Sequence, residues 1–281
     1  MVHCSANSAR CRTSPSFFCI RFTLGKIVLH LAKPDENVVL FPAVNLTAIP
    51  WDFSLILAVL AVVIPWRGAV RVGRLMRRSN LGSSDRLGLY GSTIASQWVI
   101  AGIVLWRALD RGMDRVELGL TISDPWRTAW MTVALTLLLC AGQLAGLRKM
   151  ARIPLEDRGT LFRLTERIVP RTMRETIAFA ALAITAGISE EFLYRGFTFA
   201  AFERLFAGTA APVIYAGCVS SLWFAAAHLY QGRRGVITTF VVGICFVSVL
   251  VWSGNLLPAV VAHTTVDMAV GICVPRLTRK P

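Results

Sequence analysis

Residues 187–197 read GISEEFLYRGF, and this stretch decides how the chain folds. It puts Glu190, Glu191 and Arg195 within a turn and a half of helix inside an otherwise apolar segment. A charged side chain at the middle of a bilayer costs between about 2.5 and 17 kcal/mol, depending on how it is measured. Three such groups side by side therefore need partners, a job, or both. The surroundings are membrane-like: of 281 residues, 55% are hydrophobic and 16% charged, where a soluble domain carries about 25% charged residues.

Working outward, apolar runs long enough for a bilayer about 30 Å thick lie near 51–69, 90–108, 128–147, 176–203, 210–230, 235–252 and 256–274. The expected fold is all-α, a polytopic transmembrane bundle of about seven spans, with six to eight as the bounds. The first and sixth runs are the marginal ones. Pro50, Pro65, Pro125, Pro212 and Pro258 fall at or near the ends, as suits a residue without an N–H.

The formal charge of +14 fits either a nucleic-acid surface or basic cytoplasmic loops. The arginines lie between apolar runs rather than on one soluble domain, so no nucleic-acid partner is expected. Basic and balanced loops alternate along the chain. By the positive-inside rule, the first span starts outside and the C-terminus lies in the cytoplasm. The Arg- and Ala-rich composition fits a bacterial cytoplasmic membrane. Residues 1–36 break the pattern, carrying Arg10, Arg12, Arg21, Lys26 and Lys33 on the side expected to be outside. They read as a poorly ordered segment, with a native start expected downstream of Met1.

In the linker before the fourth span, Leu161, Leu164 and Ile168 recur at i, i+3 and i+7 among Arg158, Arg163 and Arg167. This spacing predicts a short helix at the cytoplasmic interface, with a solvated connector as the alternative. Seven cysteines, at 4, 11, 19, 140, 218, 245 and 273, show no CxxC spacing, so neither a disulfide framework nor a zinc finger is expected.

Two of the four histidines, His228 and His263, fall in apolar runs, as does Asp267. Glu191 and Arg195 stand at i, i+4 and can pair, which leaves Glu190, rotated by about 100°, free for chemistry. FAAAH places Phe224 one turn before His228. HTTVD places His263 and Asp267 on one face, where an aspartate can orient an imidazole. Gly187 and Ser189 permit close approach of another helix. His228 falls late in its run and His263 early, so they converge only if the fifth run extends past Gly232 or the seventh starts later.

EEFLYR, FAAAH and HTTVD, in this order, resemble the CPBP family of intramembrane proteases, the Abi or CAAX prenyl endopeptidase family, with its pattern EExxxR, FxxxH and HxxxN or a related residue. The resemblance covers about residues 170–275, with the lead-in VPRTMRE. It implies that Glu190 is the base activating water, that His228 holds that water, and that His263 stabilises the oxyanion with residue 267 beside it. Glu191 and Arg195 would support the geometry. Two chemistries stay open: a divalent metal such as zinc held by Glu190, His228 and His263, or a metal-free glutamate mechanism. Asp267 stands where the eukaryotic-type members carry Asn; the expected role is to orient His263, with staying protonated or binding a metal as the alternatives, and the difference puts a CAAX substrate in doubt.

The chain thus divides into residues 1–36, N-terminal transmembrane helices at 37–147, a basic linker at 148–175, a catalytic core at 176–274 and a basic tail at 275–281. The expected function is an intramembrane endopeptidase acting on a peptide or protein at the lipid bilayer. The alternatives are a transporter using the buried charges, disfavoured by the absence of an internal repeat, and a catalytically silent scaffold.

Overall fold

The computed structural model describes residues 18–23, 26–31, 44–45, 49–78, 80–153 and 159–278. It is a polytopic helical bundle. The helices are α1 (Trp51–Arg77), α2 (Ser83–Asp110), α3 (Pro125–Ala151), α4 (Thr160–Ile168), α5 (Met173–Phe206), α6 (Pro212–Ala227), α7 (Gly232–Ser253) and α8 (Leu257–Thr278). Ahead of them, β1 (Phe18–Thr23), β2 (Lys26–Leu31) and β3 (Val44–Asn45) pair antiparallel in that order. The rest of residues 1–36, and with it the expected downstream start, lies outside the described residues.

Among the described residues, six helices are long and apolar enough to cross a membrane. The marginal first and sixth runs are both among them. The run that falls short is the fifth: α6 has 16 residues, about 24 Å of helix, below the ~30 Å of a hydrocarbon core. It does not extend past Gly232 but stops at Ala227, with a 3₁₀ turn at Leu229–Gln231 before α7. Pro65 is also not at an end. It lies within α1 just after a π-helical segment, Val59–Val63. A wider turn there accommodates a ring that would otherwise crowd the carbonyl four residues back.

Helix α5 is the axis of the bundle. Residues 191–202 are buried without a break, as expected of a helix that is apolar all round. α2 and α8 pack along its first half, and its last turns meet α6. The main core includes Phe53 and Leu60 of α1, Val104 of α2, Phe197 and Phe202 of α5, Phe224 of α6 and Leu250 of α7. α8 closes the bundle by lying along both α3 and α5.

The loops sort to two ends. At one end the backbone N–H of Leu256 donates to Gly119 O at 2.9 Å, Arg204 pairs with Glu117, and Asp52 accepts from Arg107 and Arg111. Exposed Trp51, Trp106, Trp126, Trp130 and Trp252 ring this end, where an interfacial aromatic belt belongs. At the other end Arg167 of α4 donates to Arg78 O at 2.5 Å. The expected linker helix is present, but Phe162 and Leu164 are its buried residues; Phe162 groups with Leu147, Val169 and Val274. Arg158 and the side chain of Leu161 lie outside the described residues.

One buried ion pair ties α2 to α5 at this second end. Arg86 grips Glu175 bidentately, Nε to Oε2 at 2.8 Å and Nη2 to Oε1 at 3.0 Å, and Arg171 N donates to Oε2 at 2.7 Å. Removing one partner strands the other charge. Glu175→Ala is expected to destabilise the protein by about 3–5 kcal/mol, and Arg86→Met combined with Glu175→Leu by much less. Unfolding of the detergent-solubilised variants checks this.

Candidate active site

The residues singled out from the sequence meet halfway along α5, where its hydrogen bonding changes register. α-Helix runs from Met173 to Glu191, π-helix from Phe192 to Thr198, and α-helix from Phe199. Thr198 Oγ1 donating to Leu193 O at 2.7 Å marks the five-residue step. Such π segments recur at functional sites because they re-aim side chains without breaking the helix. Glu190 and Glu191 end the α segment, and Arg195 lies within the π turn.

Glu191 and Arg195 are fully buried. Glu191 Oε1 accepts from Arg195 Nη1 at 3.2 Å and from His263 Nδ1 of α8 at 2.7 Å. The guanidinium carbon of Arg195 lies 3.9 Å from the ring centre of Phe224 and 5.1 Å from that of Phe246. These aromatic faces offset part of the cost of burying the cation. Gly243 of α7 keeps the space open, since a Cβ there would sit 3.2 Å from both Arg195 Nη2 and Ser221 Oγ.

Glu190 is not free, as the spacing suggested, but half-engaged. Gln97 of α2 donates from Nε2 to Glu190 Oε1 at 2.7 Å. The other oxygen, Oε2, faces His228 Nε2 at 4.0 Å. His228 caps the end of α6, and its Nδ1 lies 2.8 Å from Phe224 O. A carbonyl only accepts, so the proton of this ring sits on Nδ1 and Nε2 presents a lone pair to Glu190.

Asp267 lies with His263 on α8, but its Oδ2 is 3.7 Å from His263 Nε2, too far for a direct hydrogen bond. The expected orienting role of Asp267 is not what the geometry supports. Glu191 holds the ring, accepting from its Nδ1 at 2.7 Å. Asp267 is instead the most open group of the set, with 40% of its side chain exposed against 12% for His263.

His228 and His263 do converge: α6 stops at Ala227, and His228 at its end faces Glu190 while His263 reaches Glu191. Phe224 stands between the two imidazoles, with ring centres 4.7 Å from His228 and 6.2 Å from His263. Gln97, Phe246, Tyr230 (5.7 Å from His228 between ring centres) and Gly243 were not picked out from the sequence. Gln97 had a legible signal, an amide in the middle of an apolar run. Phe246 had none.

Among the described residues no three His, Cys, Asp or Glu side chains are grouped so as to hold an ion. Each imidazole commits its Nδ1, one to Phe224 O and the other to Glu191, which leaves Nε2 of both rings to face the site. Cys140, Cys218, Cys245 and Cys273 are free thiols.

Residues 172–269 match the family model described as Type II CAAX prenyl endopeptidase Rce1-like. The matched segment runs from the start of α5 into α8 and contains all three motifs; it is similar to a family of proteases. Comparison with curated proteins and with solved structures gave no match. With its six long apolar helices, the chain is an integral, multi-pass membrane protein.

The site depends on α5 and α8 lying close together. At Gly187 a Cβ would come 2.1 Å from Thr264 Oγ1 and 3.0 Å from Val260 O. Gly187→Ala is expected to force the helices apart and destabilise by about 1–3 kcal/mol. Adding Thr264→Ala should recover part of that loss, and a double-mutant cycle on unfolding measures the coupling.

Proposed function

We propose that this protein is an intramembrane endopeptidase in which Glu190 and His228 activate water against a peptide bond of a membrane-associated substrate. The observation that carries this reading is the 4.0 Å gap between Glu190 Oε2 and His228 Nε2. Both atoms are acceptors, so what fits between them is a donor with two protons. A water about 2.8 Å from each would subtend about 90°, near its own bond angle. Held by both protons, it turns its lone pairs outward, toward a carbonyl carbon.

The chemistry follows from the chain's own groups. The water oxygen bonds to the carbonyl carbon while its proton passes to Glu190. His263, donating Nδ1–H to Glu191, presents Nε2; protonated there, it donates to the developing oxyanion. Asp267 accompanies the charge on that ring. The C–N bond then breaks, and Glu190 returns the proton to the leaving nitrogen. Glu191 and Arg195 act as positioning residues, and Gln97 fixes the rotamer of Glu190. The end bearing the arginines faces the cytoplasm, with the C-terminus there, in what we take to be a bacterial inner membrane.

Glu190→Gln and His228→Ala are expected to lower hydrolysis by about 10²–10⁴-fold. Comparing the membrane peptidome of cells carrying wild type and Glu190→Gln tests this. A substrate that persists uncut only in the variant supports the reading, whereas identical peptidomes favour a silent scaffold. Gln97→Ala should cost less, since Glu190 stays in place. Hydrolysis by the purified protein is expected to survive a strong chelator; loss that zinc restores would replace this mechanism with one in which Glu190, His228 and His263 hold the ion.

A further inference from the structure

Three arginines of α1, Arg67, Arg71 and Arg74, recur at i, i+4 and i+7 and so share one face of the helix, and Arg78 follows just past its end. The positive-inside tendency counts charges near the end of a span; it does not require that they line up. The stripe borders a cleft of about 200 Å³, lined by Arg71 and Arg74 from α1, by Arg78 just after it, and by Asp85, Gly88 and Leu89 from α2.

The charges in this cleft do not balance. Asp85 is the one carboxylate among the lining residues, and Arg78 takes it at 2.6 Å. Arg71 is half-buried, and its hydrogen bonds go to Thr93 Oγ1, Leu89 O and Ser92 Oγ, all neutral. Arg67 and Arg74 are exposed. Guanidinium groups fixed by neutral neighbours, with their charge uncompensated, make a receptor for a phosphate-sized anion.

The surface next to the stripe narrows the choice. Toward the middle of the bundle, Val62, Val63 and Trp66 of the same helix are exposed. A ligand with a phosphate head and an apolar tail matches both parts, whereas free phosphate or an acidic peptide matches only the first. We propose that the α1–α2 cleft binds the headgroup of an anionic phospholipid, whose acyl chains run along Val62, Val63 and Trp66. This site is separate from Glu190 and does not depend on the peptidase reading.

The full chain in detergent, titrated with phosphatidylglycerol or with phosphatidylcholine of the same chain length and followed by native mass spectrometry, tests the proposal. Saturable binding of phosphatidylglycerol is expected, with much weaker binding of phosphatidylcholine. Arg67→Gln with Arg74→Gln, two exposed positions whose change leaves unfolding temperature as a control, should lower the affinity by about fivefold per arginine. Arg71→Lys, which keeps the charge but loses the planar fork, should lower it less than Arg71→Gln. Equal binding of the two lipids, or unchanged affinity in the double variant, overturns the proposal. Displacement of the lipid by an equal concentration of inorganic phosphate, or tighter binding of an acidic peptide, overturns it too.

Discussion

A single carboxylate oxygen, Oε1 of Glu191, receives hydrogen bonds from two helices at once, from Arg195 within α5 and from His263 on α8. Both Glu191 and Arg195 are shut away from solvent. In such surroundings neither charge is tolerable alone, and each is expensive even when paired. The arrangement lasts because every neighbour contributes. Phe224 and Phe246 cover Arg195 with ring faces, Gly243 leaves it room, and Gly187 lets α8 come near enough for His263 to reach the carboxylate. Remove the shared oxygen and the guanidinium loses its counter-charge while the imidazole loses its anchor.

The π turn explains how α5 serves two masters. Along a uniform α-helix, adjacent glutamates point about 100° apart, and the helix carries on in the same phase. Here the phase slips at Phe192, so that the buried side of the later turns stays buried while Glu190 looks toward α2 and α6. Glu190 thus meets Gln97 and His228, and Glu191 meets His263. The neighbouring acids are told apart by the partners each one meets.

Much of this was legible in the sequence. Long apolar runs gave the bundle, and three short polar motifs named all six groups now found together, because ionisable side chains stand out against a lipid-compatible background. What stayed hidden has physical reasons. Spans were counted by hydropathy, and hydropathy does not report that α6 stops at Ala227, nor that Pro65 is absorbed by a π segment inside α1. No local pattern joins Arg86 to Glu175, because the two are 89 residues apart in sequence. The same spacing logic that paired His263 with Asp267 was sound for an isolated helix. It lost to a tertiary contact, Glu191, that no single-helix pattern contains.

The brevity of α6 bears on the lipid as well as on the protein. A helix about 6 Å shorter than the hydrocarbon it faces creates a mismatch that the bilayer must absorb, by thinning locally or by admitting water to the depth of the helix end. Either adjustment brings the headgroup region down toward His228, so the polar groups around it are hydrated from one leaflet alone. The permeability barrier on the other side stays intact, so the proposed hydrolysis would need no pore across the membrane.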